Sequence, residues 1–293
     1  MPDFLCIGAP RSGTSWLYYQ LHDRKDIFLP PVKELHYFDR DTAYTSPNIL
    51  NETRLIHRIR NKQWLQAAIK DCYTSLRHRK IADFKWKLKW YFSDYSDNWY
   101  NSLFNDHLIS GEITPAYSIL KIKDIQRIKD LFPNIRLVYI LRNPVERSWS
   151  SYRKNYLRKG LVLKGIELEN YLSSEAVTNR NDYLNNLESF LSIFPSQQIL
   201  IVIHDSIIND PLGTLYDVVN FIGGNVNVAF NKDIIFQKIN SSPEMSVPLE
   251  VKSFLYSKYL PMMNKLSDKY GGYFNDWIDK KDINNFYHNT FHP

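Results

Sequence analysis

The sequence predicts a single α/β domain in which helices flank a central parallel sheet. Short apolar runs rich in Val, Ile and Leu alternate along the chain with amphipathic stretches, which is the pattern of βαβ units. Two of these runs, residues 4–7 and 135–141, are apolar almost throughout, as expected of strands that are buried on both faces of a sheet. Because no internal repeat or low-complexity tract divides the 293 residues, we expect one domain over residues 1–293.

Composition narrows the class of protein. An apolar share of 44% and a charged share of 23% are ordinary for a globular protein, and no apolar run is long enough for a membrane span. The 2 cysteines have neither metal-ligand spacing nor a disulfide framework, which indicates a reducing compartment. A functional motif that begins at Gly8 leaves no room for a signal peptide, so we expect a cytoplasmic protein. The net charge of +6 favours an anionic cofactor, an anionic acceptor or nucleic acid.

The strand at 4–7 leads into a loop that suits an anion. Residues 8–16 read Gly-Ala-Pro-Arg-Ser-Gly-Thr-Ser-Trp, and a helix is expected over residues 14–23. A strand, a glycine turn and a helix N-terminus direct backbone amides and the helix dipole at one spot. The glycine spacing is that of the Walker motif, but Thr14 replaces its lysine and Arg11 is the only cation of the loop. This set suits a sulfuryl group, which carries less negative charge than a phosphoryl group and can be held without a metal.

After a short predicted strand at 27–29, residues 33–38 bring three ionisable side chains together. They read Lys-Glu-Leu-His-Tyr-Phe. If this segment is extended, Glu34 and His36 project to the same face. Either group can then take a proton from an attacking hydroxyl beside the anion site. A solvated strand end is the alternative interpretation.

The middle of the chain gives weaker signals. Residues 54–71 have the apolar spacing of one amphipathic helix. Residues 77–92 interleave basic and aromatic side chains, which is typical either of a segment that binds a polyanionic glycan or single-stranded nucleic acid, or of a solvated edge segment. Residues 111–117 predict a strand end that turns over a pocket, where a buried Glu112 would need a cationic partner such as Arg11.

A second strong signal follows the strand at 135–141. Arg142 stands directly after this strand, Pro144 suits the first turn of a helix, and Ser150 lies two turns into that helix. Open α/β sheets bind ligands at the carboxyl ends of their strands, so Arg142 and Ser150 can both reach one phosphate there. The other predicted elements are a helix at 121–131, an irregular stretch at 161–180, a helix at 182–194, a strand at 198–203, a helix at 211–222, a polar loop at 237–248 and a helix at 249–270.

Several of these segments, in this order, resemble the sulfotransferases that use 3′-phosphoadenosine 5′-phosphosulfate (PAPS), most closely the bacterial and heparan-sulfate types. Residues 8–16 look like their 5′-phosphosulfate loop, and residues 141–150, Leu-Arg-Asn-Pro-Val-Glu-Arg-Ser-Trp-Ser, look like their 3′-phosphate motif. Residues 33–38 and 111–117 are similar to segments of the heparan-sulfate type. Residues 238–243 resemble the late cofactor-covering loop of the bacterial members. The resemblance covers nearly the whole chain.

The resemblance implies a P-loop-like α/β fold and the transfer of a sulfuryl group from PAPS to an acceptor hydroxyl or amine, without a metal. Glu34 matches the general base, with Lys33 and His36 beside it, and Arg11 matches the group that stabilises charge on the leaving phosphate. The implied acceptor is a small molecule, a lipid or a glycan, and nucleic acid is not expected. The matching donor-binding positions are Arg11, Ser12, Gly13, Thr14, Ser15 and Trp16 for the 5′-phosphosulfate, Arg142 and Ser150 for the 3′-phosphate, and Lys238 and Asn240 in the covering loop.

The sequence also departs from the heparan-sulfate type. Ile113 stands where those enzymes often carry a lysine, and no membrane anchor is found, so a soluble enzyme with another acceptor is expected. His204 and Asp205 stand where relatives usually carry an aromatic-acidic pair. Two other functions stay open: a small-molecule kinase, which would need the missing Walker lysine, and a non-catalytic module that binds polyanions or nucleic acid through residues 77–92.

Overall fold

The computed structural model describes residues 1–45, 50–230, 235 and 245–278. Within this part of the chain one parallel sheet is formed by β1 (Phe4–Gly8), β2 (Ile27–Phe28), β3 (Ile109–Ile113), β4 (Arg136–Leu141) and β5 (Ile199–Ile203). The order across the sheet is β2-β3-β1-β4-β5, so the first strand of the chain lies at the centre. Helices flank this sheet, which confirms the predicted α/β fold.

The helices account for most of the remaining regular structure. They are α1 (Thr14–His22), α2 (Leu55–Arg58), α3 (Lys62–Arg77), α4 (Ile81–Tyr91), α5 (Asp97–Asn101), α6 (Ile122–Leu131), α7 (Pro144–Asn155), α8 (Gly165–Ser173), α9 (Glu175–Thr178), α10 (Tyr183–Leu191), α11 (His204–Asn209), α12 (Pro211–Ile222), α13 (Leu249–Tyr270) and α14 (Tyr273–Asp276). Short 3₁₀ turns occupy Pro115–Ile119, Leu157–Lys159, Asn179–Asn181 and Ser196–Gln198. The bounds of α12 and α13 are those predicted. Among the described residues, no helix combines the length and the apolar character needed to cross a membrane.

The central strand explains why the first apolar run is continuous. Leu5 and Ile7 enter the core on one face of the sheet, whereas Phe4 and Cys6 enter the core on the other face. All four side chains are fully buried, because helices cover both faces. Gly111 of β3 lies opposite Phe4, and a Cβ at that position would lie 2.5 Å from the Phe4 ring. The absence of a side chain at Gly111 therefore lets the ring pack against the neighbouring strand.

Two stretches fold differently from the prediction. Residues 54–71, predicted as one helix, are divided between α2 and α3. The division falls at Asn61, whose side chain accepts hydrogen bonds from two amides in the first turn of α3 and so caps that helix. Residues 161–180, predicted to be irregular, contain α8 and α9, which carry the buried side chains Leu172 and Val177. In both cases the helix bounds are set by a cap or a core contact that weak periodicity does not reveal.

Most of the basic and aromatic segment 77–92 is a helix that buries two tryptophans and leaves most of its basic side chains exposed. Most of it forms α4, in which Trp86 and Trp90 are buried and stack on each other with ring centroids 5.4 Å apart. The Trp86 Nε1 donates a hydrogen bond to the carbonyl of Leu103 at 2.8 Å. Because these rings fill the core, they are not a platform on which bases stack. The prediction of an edge segment was wrong in its conformation, although most of the side chains are exposed as predicted. The spacing of four between the two tryptophans was the helical signal.

Candidate active site

The carboxyl ends of the parallel strands place several loops at one edge of the sheet. β1, β3, β4 and β5 run in the same direction and end there. The anion loop (residues 8–13) follows β1, Arg142 follows β4, and His204 follows β5. Loops from neighbouring strands therefore meet at the edge where open α/β sheets bind ligands.

The anion loop is shaped by backbone conformations that favour glycine. Arg11 and Gly13 lie in the left-handed region, with φ of 70° and 101°. Gly13 is the N-cap of α1 and is also close to α11, since a Cβ on it would lie 2.9 Å from Ile207 Cδ1. No side chain caps α1, so its first amides stay directed at the loop. The Ser12 hydroxyl is fully buried and has no hydrogen-bond partner among the described residues, as expected if a ligand supplies one.

The two predicted anion motifs are in direct contact. Arg11 Nε donates to Ser150 Oγ at 3.1 Å, and Arg142 Nη1 donates to the Arg11 carbonyl at 3.2 Å. Burial lowers the pKa of the Arg11 guanidinium, and the charges of Arg142 and Arg153 lower it further. Burial likewise lowers the pKa of Arg142, against the opposing effect of Glu146. Cations gathered in a partly buried site repel one another, so an anionic ligand stabilises this arrangement.

The segment 33–38, called here the base segment, is tied to the start of α1. Lys33 Nζ donates to Ser15 Oγ at 2.7 Å and lies 3.3 Å from Glu34 Oε1. Glu34 Oε2 lies 3.6 Å from His36 Nε2, and the Glu34 side chain is 39% exposed. Glu34 is therefore paired on both sides by cationic groups while it stays accessible from solvent.

A buried acid completes this cluster. His36 Nδ1 lies 2.8 Å from Asp39 Oδ2, and Asp39 is fully buried. Burial lowers the pKa of His36, but its hydrogen bond to Asp39 and its ion pair with Glu34 outweigh burial and raise the pKa to about 9. Burial raises the pKa of Glu34, but the ion pair with His36 and the charge of Lys33 outweigh it, and the net pKa lies below the ordinary value. At neutral pH His36 is an imidazolium and Glu34 is a carboxylate.

The base segment is not extended as predicted. Glu34 and His36 both lie in the left-handed region, with φ of 64° and 55°. Their side chains still meet, but this results from two local reversals of the backbone rather than from the alternation of a strand. The amide between them is bound to a side chain from outside the segment, since Leu35 N donates to Thr114 Oγ1 at 2.9 Å.

Glu112 has a different environment from the one predicted. It lies within β3, and within the described part of the chain it accepts hydrogen bonds from three hydroxyl groups and the Leu35 amide rather than from the guanidinium of Arg11. The Tyr100 hydroxyl donates to Oε1, and Tyr117 donates to the same oxygen at 2.9 Å. Thr114 Oγ1 donates to Oε2 at 2.6 Å. Several hydroxyl donors satisfy this buried carboxyl group. Burial raises its pKa, and the cation whose charge acts against burial and lowers that pKa is His36 rather than the predicted Arg11.

Three residues of the site were missed in the sequence. Asp39 directly follows the predicted segment, and its spacing of three from His36 was the available signal. Lys154 lies one helical turn after Ser150 on α7. Burial lowers the pKa of Lys154, and the charge of Arg11 lowers it further. Lys154 and Arg11 are therefore neighbouring cations. His204 was noticed only as a departure. Burial and then the charge of Arg142 lower the pKa of His204 to about 3, which keeps it neutral at the edge of the anion loop.

The remaining predicted positions fall partly outside the described residues. Thr14, Ser15 and Trp16 form the first turn of α1, and Trp16 Nε1 donates to the Ile235 carbonyl at 2.8 Å. Thr14 is buried, whereas Ser15 holds Lys33 as described above. Lys238 and Asn240, predicted to lie in a covering loop, are outside the described residues, so their role stays a prediction.

Comparison with known proteins identifies the family. A sequence model of the sulfotransferase family matches residues 2–227. Human heparan sulfate glucosamine 3-O-sulfotransferase 3B1 is 27% identical over 155 residues, which span 50% of this chain and 39% of that protein. The membrane-associated sulfotransferase kil1 of Dictyostelium discoideum is 39% identical over 152 residues, which span 52% of this chain and 22% of that protein. The chain thus spans well under half the length of these curated relatives.

The fold agrees with this assignment. The crystal structure of a sulfotransferase from Alicyclobacillus acidocaldarius superposes with a TM-score of 0.65, covering 94% of this chain and 98% of the other, at 19% identity. At that identity the likeness concerns the fold alone. The family match, by contrast, includes the anion loop, the base segment and the Arg142 motif. The chain therefore belongs to the sulfotransferase family.

Proposed function

We propose that this protein transfers a sulfuryl group from PAPS to a hydroxyl or amine of an acceptor, with Glu34 as general base. The observation that carries the proposal is the contact between the two anion motifs: Arg11 Nε donates to Ser150 Oγ, and Arg142 donates to the Arg11 carbonyl. A donor with anionic groups at both ends needs two such sites side by side. The base segment adjoins them through Lys33.

The residues at this edge fit such a donor. The Ser12 hydroxyl without a described partner, the amides at the start of α1 and the Arg11 side chain are hydrogen-bond donors that suit a sulfated phosphate. Arg142 and Ser150 are the groups that we assign to a separate phosphate. When bound, PAPS supplies an activated sulfuryl group attached to a phosphate leaving group. Lys33, which bridges Ser15 and Glu34, and Arg11 then offset negative charge on that leaving group.

The protonation states support Glu34 rather than His36 as the base. His36, with a pKa raised to about 9 by Asp39 and Glu34 against the effect of burial, already carries its proton at neutral pH. Glu34, with a pKa below its ordinary value, is ionised and can accept a proton. In this assignment His36 orients the Glu34 carboxylate through the contact at 3.6 Å, and Asp39 holds the imidazolium from behind.

The charges near Glu34 also bear on the acceptor. Lys154 is close enough to be affected by the charges of Arg11, Glu34 and Lys33. Arg158, in the 3₁₀ turn that follows α7, adds to the same positive field. We propose that the acceptor carries negative charge near its reacting hydroxyl or amine, because such a molecule offsets this field. The human relatives named for heparan sulfate would act on an acceptor of that kind, although Ile113 is here a buried core residue rather than a lysine.

The test is donor turnover, followed as release of 3′-phosphoadenosine 5′-phosphate from PAPS with water as the attacking group. Glu34→Gln should lower the rate by roughly 10² or more and leave the affinity for the nucleotide nearly unchanged. His36→Asn should lower the rate less, because it removes the orienting contact and not the base. If His36→Asn removes turnover and Glu34→Gln does not, the base has been assigned to the wrong residue. A folded wild type that releases no product, with or without an added acceptor, would contradict the function itself.

A further inference from the structure

The base segment carries more backbone strain than any local sequence feature explains. Glu34 and His36 both have positive φ, at 64° and 55°. Residues other than glycine rarely adopt this conformation, and it persists only where the surroundings fix it. The two residues are separated by Leu35, whose side chain is fully buried. Something in the core must therefore hold the backbone of this segment in its unusual path.

The amides on either side of His36 both lead to one buried carboxyl group. Leu35 N donates to Thr114 Oγ1 at 2.9 Å and to Glu112 Oε2 at 3.3 Å. Tyr37 N donates to the Tyr117 hydroxyl at 2.8 Å, and that hydroxyl donates to Glu112 Oε1 at 2.9 Å. The Leu35 amide thus contacts Glu112 directly, whereas the Tyr37 amide is connected to Glu112 through the Tyr117 hydroxyl.

Glu112 is itself held rigidly. It is 1% exposed and lies in β3, where it pairs with Leu5 of the central strand. Its two oxygens receive hydrogen bonds from three hydroxyl groups and one backbone amide, namely those of Tyr100, Tyr117, Thr114 and Leu35. These four donors satisfy the buried carboxyl group, and the charge of the nearby His36 imidazolium further favours its ionised form. The carboxyl group is thus a fixed acceptor on the sheet, placed directly beneath the base segment.

We propose that Glu112 is a positioning residue, which fixes the left-handed backbone at Glu34 and His36 through the amides of Leu35 and Tyr37 and so sets the direction of the Glu34 carboxylate. The inference rests on the proposed function in that Glu34 is taken as the base. It gives the β3 segment a part in the reaction without contact with the substrate. A purely structural role would instead make Glu112 one polar group among others in the core, with no specific effect on the pair formed by Glu34 and His36.

The first experiment measures the geometry of that pair without measuring activity. The pKa of His36 is read by NMR titration of its imidazole signals, which His36→Asn identifies among the 8 histidines. The groups that face His36 are Glu34, Asp39 and Glu112. Tyr117→Phe removes the acceptor of the Tyr37 amide and leaves the ring and the Glu112 carboxyl in place. We expect the pKa of His36 to fall by about one unit in this variant, because Glu34 turns away.

Tyr100→Phe is the matched control. It also removes one hydroxyl donor from Glu112 Oε1 and keeps the ring, but Tyr100 makes no hydrogen bond to the base segment among the described contacts. The pKa of His36 should stay at its wild-type value in this variant. An unchanged pKa in Tyr117→Phe, or an equal fall in both variants, would overturn the proposal. If Tyr117→Phe does not fold, Thr114→Val provides the same test through the Leu35 amide.

The second experiment uses turnover of PAPS with water. Glu112→Gln should lower the rate roughly ten- to a hundredfold, as expected for a misplaced base, with the affinity for 3′-phosphoadenosine 5′-phosphate within about twofold of wild type. In a Glu34→Gln background the same change should have almost no further effect, since there is no base left to position. Additive losses in the double variant would contradict the proposal. If Glu34→Gln alone retains full turnover, the proposed function fails, and the titration of His36 still decides the role of Glu112.

Discussion

The anion loop and the base segment meet at one edge of the sheet but are held there in different ways. The anion loop belongs to one strand-turn-helix unit, with two left-handed positions and a helix without a side-chain cap, and Arg142 adds one contact to its backbone. The base segment has left-handed positions at Glu34 and His36, and the amides of Leu35 and Tyr37 donate to side chains from a distant part of the chain. The first region is encoded mostly by local sequence, whereas the backbone of the second is bound mainly by distant side chains.

This difference predicts which mutations should affect each region. In the anion loop, a change of backbone conformation at one glycine should disturb ligand binding directly. In the base segment, changes far away in sequence, at Thr114 or Tyr117, should disturb the base while leaving the anion loop intact. Binding of the donor and the rate of the chemical step should therefore be separable by mutation.

The largest expected effect on the locally encoded region is that of Gly13→Ala. Alanine at φ 101° is strained, and its Cβ would lie 2.9 Å from Ile207 Cδ1. We expect a loss of about 1–3 kcal/mol in the free energy of unfolding. Because the first amides of α1 would shift, affinity for 3′-phosphoadenosine 5′-phosphate should fall roughly a hundredfold. Chemical denaturation and calorimetric titration measure the two quantities.

Gly160→Ala is the matched control for this change. Gly160 also lies in the left-handed region, with φ of 74°, but no atom lies within 4 Å of a Cβ placed on it. It should cost about 1 kcal/mol of stability from backbone strain alone and leave nucleotide affinity unchanged. Equal losses of affinity in both variants would break the distinction between the two regions, because binding would then follow general stability.

A smaller effect is expected from pH, and it concerns the base segment. His36 has a pKa raised to about 9 by Asp39 and Glu34 against burial, compared with an ordinary value of 6.5. Its protonated form therefore contributes stability that is complete below about 6.5 and is lost as pH rises through about 9. Turnover should fall over the same alkaline range as the contact with Glu34 weakens. On the acid side it should fall only below the ordinary Glu value of 4.5, since the net pKa of Glu34 is lowered.

Parallel pH series on wild type and His36→Asn test this assignment. The variant should lose the alkaline decline in both turnover and melting temperature, because the titrating imidazole is absent. Nucleotide affinity should depend on pH in the same way in both proteins over this range. An alkaline decline shared by both proteins would place the responsible group elsewhere, and a decline near pH 6.5 would show that His36 lacks its two acidic partners.

Sequence reasoning succeeded where the determinants are local. The glycine spacing of the anion loop and the apolar strand before it predicted the strand, turn and helix because each depends on neighbouring residues. The same is true of Arg142 after β4 and of the long helix over residues 249–270, which the structure reproduces as α13. In these segments the conformation is determined by glycine, proline and apolar residues that lie within a few positions of one another.

Sequence reasoning failed where the determinants are distant. Between and beside the left-handed residues Glu34 and His36, the amides of Leu35 and Tyr37 donate to Thr114 and Tyr117, which lie some eighty residues away in the chain. One hydroxyl partner of Glu112 comes from α5, a contact that the sequence around Glu112 does not reveal. Identity of the residues could be predicted from the motif, but their geometry depends on tertiary contacts that periodicity does not encode.

The most direct test of the central claim, that the two anion motifs form one donor site, is calorimetric titration with 3′-phosphoadenosine 5′-phosphate in the presence of a chelator. Wild type is compared with Arg142→Ala and with Arg136→Ala. Arg136 is the matched control, because it starts the same strand β4 and so lies at the opposite edge of the sheet.

We predict that wild type binds the nucleotide without added metal and that Arg142→Ala weakens binding roughly ten- to a hundredfold, as for loss of a charge-assisted hydrogen bond. Arg136→Ala should bind like wild type. Failure of the folded wild type to bind, or equal binding by wild type and Arg142→Ala, would contradict the claim.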